Sequence, residues 1–150
     1  MEKGKSEHAF YLKELMRLMP ISYNAAKDVW KTERDLRQEW QEEKAEQFRR
    51  VKIALYDFSM DCRLRNGDLI ERAALNSKER WFLRCRYVRA FSWRQLFGSQ
   101  NYSPDHCKRI HRDAVAKIAK QHADVDYRPL YEQERARLEE LLAQVGEKIR

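Results

Sequence analysis

The segment from Ser92 to Arg112, SWRQLFGSQNYSPDHCKRIHR, restricts the possible folds more than any other part of the chain. Ser92 and Gln95 have the spacing of a capping box, in which each side chain bonds a free backbone N–H at the start of a helix. Ser103 can open a second helix, with Pro104 at the first helical position, where its missing N–H costs nothing. Between the helices, Asn101 suits a sharp turn because Asn tolerates the left-handed backbone conformation.

The apolar residues of this segment predict which faces are buried. Four of them recur at three- and four-residue steps, which is typical of one buried helical stripe: Cys107, Ile110, Ala114 and Ile118. Leu96 and Tyr102 are expected to face inward from the first helix and from the turn. The outer face of the second helix is polar and mostly basic: Asp105, His106, Lys108, Arg109 and Arg112. A short helix packed across a longer one with a basic outer face indicates a helix-turn-helix, whose second helix enters the major groove of DNA.

At these residues the chain resembles a known family. The stretches ERWFLRCRYVRAFSWRQL and YSPDHCKRIHRDAVAKIA look like region four of sigma factors and the related prophage regulators of the RinA and ArpU type. The resemblance covers roughly residues 77–120, under a third of the chain. It implies a Ser-capped recognition helix that begins eleven residues after the first cap.

The positive charge of the chain is concentrated in the same region. The net charge is +7. Between Ser77 and Lys120 there are eleven Lys and Arg against three acids, whereas the rest of the chain holds twenty basic and twenty-one acidic residues. A basic surface confined to one module is expected for phosphate contacts. The alternative is a solvated helix face on which basic residues cluster by chance.

Two kinds of DNA contact are expected from this unit. Residues in the N-terminal half of the second helix would contact base edges: Asp105, His106, Lys108 and Arg109. Arg can bind guanine through two hydrogen bonds, and Asp can accept one from cytosine. Further residues would hold the phosphate backbone and so position the module: Ser92, Arg94, Ser103, Arg112, Arg86 and Arg89. The nearby aromatic residues are expected to form the core of the unit and not a base-stacking surface: Trp81, Phe82, Trp93 and Phe97.

The whole chain is predicted to be all-α, because it has only four Gly and three Pro and no long β-branched alternation. We expect three parts. Residues 1–76 form a helical N-terminal region, or arm. Residues 77–120 form a three-helix unit that contains the helix-turn-helix. Residues 121–150 form a linker and a C-terminal amphipathic helix.

Several helix boundaries are predicted in the N-terminal region. Pro20 should end a short amphipathic helix over residues 8–19. Asn66 and Gly67 should end a later helix, after which Asp68 and Glu71 could open a short one. Residues 41–47 are polar all round, so they fit either a break between two helices or a solvent-exposed stretch of one.

The C-terminal helix carries an apolar stripe that has two interpretations. It could pack on the rest of the chain or pair with the same helix of a second copy. A two-fold dimer would suit a protein that binds paired half-sites. The stripe consists of Leu138, Leu141, Leu142, Val145 and Ile149.

Other classes of site have little support in the sequence. The three cysteines, Cys62, Cys85 and Cys107, are far apart and lie on apolar helical faces, so we expect buried free thiols and a reducing, cytoplasmic location. No signal-like run and no apolar stretch of membrane-spanning length is present. His106, Cys107 and His111 lack the second ligand pair that a metal site needs, so neither a metal nor a cofactor is expected. Catalytic motifs are also missing, and we expect no enzymatic activity.

These observations favour a sequence-specific binding protein for double-stranded DNA, of phage or prophage type, that regulates transcription. RNA polymerase is a possible second partner, and a homo-oligomer, preferably a dimer, is expected. One alternative is a small terminase subunit that recognises phage DNA for packaging. Another is a sigma-like protein-interaction module that does not contact DNA.

Overall fold

A computed structural model of the protein describes residues 2–99 and 102–149. Asn101, on which the predicted turn depends, and its neighbour Gln100 lie outside the described residues. The fold is all-α, as predicted, with the following helices in the described residues: α1 (Glu2–Gln38), α2 (Glu42–Arg72), α3 (Ser77–Tyr87), α4 (Trp93–Ser99), α5 (Pro104–Gln121) and α6 (Arg128–Ala143).

Helix α1 does not end at Pro20, so the prediction of a short first helix was wrong. Proline has no N–H, and the carbonyl of Met16 therefore loses its normal helical donor. The Asn66 side chain of α2 supplies the donor instead, with Nδ2 2.9 Å from the Met16 carbonyl oxygen. A hydrogen bond from another helix thus replaces the bond that proline removes, and α1 continues to Gln38.

The expected helix end at Asn66 and Gly67 was also wrong. Helix α2 runs on to Arg72, so Asp68 and Glu71 lie in its last turns and do not open a separate helix. Asn66 is fully buried, and its Nδ2 also donates to the Tyr87 carbonyl oxygen at the end of α3, at 3.0 Å. The residue that resembles a helix terminator is therefore a buried link among three helices.

The open question about residues 41–47 is answered by a break just before them. Helix α1 stops at Gln38, and α2 starts at Glu42. Trp40 takes the left-handed backbone conformation, with φ of 63°, and the backbone N–H of Gln41 donates to the Leu36 carbonyl at 2.9 Å. Residues 42–47 are the first turns of α2, so α1 and α2 form a helical hairpin.

The main hydrophobic core joins the hairpin to the remaining parts of the chain. It includes Leu12, Leu15 and Met19 of α1, and Leu55 and Phe58 of α2, all of them buried. Helices α3, α5 and α6 contribute further members: Leu83, Tyr87, Ala114, Val115, Ile118, Ala119, Tyr131, Leu138 and Leu142.

Helix α6 packs within the chain, which was one of the two interpretations of its apolar stripe. Leu138 and Leu142 are buried against α1 and α2, and Leu141, Val145 and Ile149 are partly buried beside them. The Gln47 side chain of α2 donates to the Gln144 carbonyl at 2.7 Å, just beyond the end of α6.

A second, smaller core lies inside the unit formed by α3, α4 and α5. Its buried members are Phe82, Cys85, Leu96, Cys107 and Ile110, and five aromatic residues pack around them: Trp81, Phe91, Trp93, Phe97 and Tyr102. The prediction that Trp81, Phe82, Trp93 and Phe97 are core residues is confirmed. Helix α3 is capped by Asn76 through a capping box with Glu79, and it ends at Tyr87.

The three cysteines are buried free thiols, as predicted. Burial raises the pKa of Cys62 to about 11, so this thiol stays protonated and unreactive near neutral pH. Within residues 2–99 and 102–149, no helix has the length and apolar character needed to cross a membrane.

Candidate nucleic-acid interface

Both predicted serine caps are present at the start of α4 and α5. The backbone N–H of Gln95 donates to Ser92 Oγ at 3.2 Å, and the N–H of Ser92 donates to Gln95 Oε1 at 2.8 Å. At α5 the N–H of His106 donates to Ser103 Oγ at 3.2 Å, and Pro104 occupies the first turn. The caps fix where α5 begins, and therefore which of its residues project from the unit.

The basic outer face of α5 is open to solvent. Asp105, Lys108, Arg109 and Arg112 are exposed, whereas Cys107 and Ile110 on the inner face are buried. His106 is half-buried, and its ring lies 4.7 Å from that of Tyr102 in an edge-on arrangement. The three cations at 108, 109 and 112 therefore form one accessible surface in the first half of the helix, as predicted.

The predicted backbone anchors differ in how free they are. Arg89 and Arg94 are exposed, and so are Ser92 and Ser103, whose hydroxyl oxygens already accept the capping bonds. Arg86 is half-buried, and its Nη1 donates to the Phe91 carbonyl oxygen at 3.0 Å. Its guanidinium lies 5.9 Å from the Trp93 ring, so the contacts of Arg86 fix the connection between α3 and α4.

Helix α1 forms a cleft beside α5 that the sequence did not indicate. The cleft, of about 750 Å³, lies between α1, α3 and α5. Its basic lining residues are Lys13, Arg17, Arg86, Lys108 and Arg112, and Glu14 is the one carboxylate among the residues that line it. Nothing in the sequence indicates that α1 packs on α5, so it does not place Lys13 and Arg17 near the basic face of α5.

The cleft also contains a buried histidine that is neutral at physiological pH. His111 Nε2 and the Tyr87 hydroxyl share a hydrogen bond of 2.5 Å. Burial, together with the charges of Lys13 and Arg86, lowers the pKa of His111 to about 4. His111 is therefore a core residue and not an additional cation. In the part of the chain that the structure describes, no group of three or more His, Cys, Asp or Glu side chains is placed to hold a metal ion.

Acid is expected to destabilise the protein through His111. Because its pKa is about 4 in the folded state and 6.5 in the absence of the fold, the unfolded chain takes up the proton first. The free energy of unfolding therefore keeps its full value above pH 6.5 and falls as the pH drops toward 4, by up to about 3 kcal/mol. Urea unfolding of wild type and His111→Gln at pH 7 and pH 4.5 measures this effect. The loss on acidification should be smaller in the variant, and an equal loss in both proteins would contradict the assignment.

Comparison with known proteins finds no matching family model, no matching curated protein and no matching solved structure.

Proposed function

We propose that the protein binds double-stranded DNA in a sequence-specific manner and acts as a transcriptional regulator of phage or prophage type. The observation that carries the proposal is the exposed basic face of α5. The opposite face of α5 packs on a small aromatic core, and serine caps fix the starts of α4 and α5. The concentration of positive charge between Ser77 and Lys120, which includes the cations of α5, also supports it.

In the proposed complex, the first half of α5 lies in the major groove. The groove is about 12 Å wide, and an α-helix with its side chains is about 10–12 Å across. Arg109 would bind guanine through two hydrogen bonds, and Asp105 would accept one from cytosine, with Lys108 and His106 beside them. Arg94, Arg89 and Arg112 would contact phosphates and set the register of the helix in the groove. The α1–α2 hairpin and α6 would serve assembly of the protein or contact with RNA polymerase.

Selection from a library of random duplexes tests this function. The wild-type protein should enrich one sequence motif, with retention that weakens as salt rises, because phosphate contacts release counterions. Failure to retain any duplex at low salt would overturn the proposal and would favour a protein-interaction module. Native mass spectrometry then separates the regulator from a small terminase subunit, since a dimer fits the former and a ring the latter.

A further inference from the structure

The cleft between α1 and α5 places a second set of cations beside the recognition helix. We propose that this cleft takes the sugar–phosphate backbone of one DNA strand, with Lys13 and Arg17 of α1 as phosphate-binding residues. The inference rests on the proposed DNA binding by α5 and adds a contact surface from a different part of the chain.

The cations line the two walls of the cleft in matching pairs. Lys108 and Arg112 lie one turn apart on α5, and Lys13 and Arg17 lie one turn apart on α1. Residues four apart on a helix are neighbours, separated by about 5–6 Å. Lys13 and Arg17 keep 38% and 41% of their side-chain surface exposed, so both are accessible to a large ligand.

The position of α1 relative to α5 is fixed by packing. Val115 and Ala119 of α5 are buried in the main core, and Ala9 of α1 packs against the same cluster. The His8 ring Nε2 lies 3.0 Å from the Ala119 carbonyl oxygen, at hydrogen-bonding distance. The side chains of Lys13 and Arg17 therefore extend from a backbone that is held in place before DNA arrives, which lowers the entropic cost of binding.

The charge balance of the cleft favours a polyanion. Five cations line it, and Glu14, the one carboxylate there, lies 3.9 Å from Lys13 and 3.1 Å from Arg17. His111 adds no charge near neutral pH because its pKa is low. The cleft keeps an excess of four positive charges. Removing water from these cations costs free energy unless anionic groups replace the water, and a phosphate chain along the cleft would supply them.

The location of the cleft identifies the ligand as the DNA backbone. Lys108 and Arg112 belong both to the exposed face of α5 and to the wall of the cleft. A helix that fills the major groove has a phosphate ridge along each side. Because α1 packs directly against α5, Lys13 and Arg17 are then at the right place to meet one ridge.

The test uses Lys13→Gln with Arg17→Gln in the full-length protein. Fluorescence anisotropy is measured across salt concentrations, with the selected duplex and with a scrambled one. The double variant should lose affinity equally for both duplexes, and the slope of log affinity against log salt should become less steep by about two. The matched control is Lys31→Gln with Arg34→Gln, which removes the same charge from exposed positions of α1 and should leave the slope unchanged.

A second variant separates a charge effect from a loss of folding. Lys13→Arg with Arg17→Lys keeps both charges, and its salt slope should match that of the wild type.

If the wild type binds DNA but the double Gln variant keeps its affinity and slope, the inference fails while the proposed function stands. If the variant weakens one sequence only, the residues contact bases and the inference is also overturned. If inorganic phosphate raises the melting temperature of the wild type but not of the variant, with DNA binding unchanged in the variant, the cleft is a small-anion site instead. If the wild type binds no duplex, the proposed function itself fails.

Discussion

Asn66→Ala is expected to lower the free energy of unfolding by about 2–6 kcal/mol, the cost of leaving two buried acceptors without donors. Asn66 is fully buried and donates to the carbonyls of Met16 and Tyr87. The first of these carbonyls lacks a helical donor because of Pro20, and the second lies at the end of α3. Removal of the amide therefore destabilises α1, α2 and α3 together. Urea unfolding followed by circular dichroism measures the loss.

A double-mutant cycle with Pro20→Ala tests the physical reason. Alanine restores the backbone N–H that can bond to the Met16 carbonyl, so Asn66→Ala should cost less in that background, by about 1 kcal/mol or more. Asn24→Ala, at an exposed position of α1, is the matched control and should change stability little. Equal costs of Asn66→Ala in both backgrounds would show that Asn66 does not replace the missing amide.

Replacing Lys108, Arg109 and Arg112 together by Ala should reduce affinity for the preferred duplex by about 100-fold or more, since each lost contact costs ~1–3 kcal/mol. All three side chains are exposed, and Ala favours the helix, so α5 should still form. The matched control is Lys31→Ala with Lys44→Ala and Arg50→Ala, which removes the same charge from exposed positions of the α1–α2 hairpin. Equal losses of affinity in the two variants would show that only the net charge of the protein matters and that α5 makes no specific contact.

The single variant Arg109→Ala separates base recognition from phosphate binding. It should lower affinity and relax specificity at one base pair, by ~1–3 kcal/mol. Arg112→Ala should instead weaken all duplexes by a similar factor. Selection of preferred sequences by each variant provides the measurement. An unchanged motif for Arg109→Ala would remove the assignment of Arg109 to a base edge.

The parts of the fold that were predicted from the sequence are those decided locally. A serine cap with its partner three residues on specifies a helix start from neighbouring residues alone, and the starts of α4 and α5 are where the sequence placed them. Helical stripes such as Cys107, Ile110, Ala114 and Ile118 are similarly local, and all four residues are buried. The same rules therefore predicted the exposure of Lys108 and Arg109.

The errors occurred where a distant residue changes a local preference. Pro20 and Asn66 each indicate a helix end when read alone. Pro20 leaves the Met16 carbonyl without a helical donor, and Asn66 donates to that carbonyl across 50 residues, so both helices continue. The contact between α1 and α5 that brings Lys13 and Arg17 into the cleft is likewise made by residues distant in the sequence. The sequence around either residue contains no signal of this contact.

Sequence-specific DNA binding by α5 is tested most directly by titration of the wild-type protein with its selected duplex and a scrambled duplex at ~50 to ~200 mM salt. Log affinity should fall linearly with log salt for both duplexes, and the selected duplex should bind more tightly throughout. Absence of binding at the lowest salt, or an affinity that does not depend on salt, would contradict this proposal.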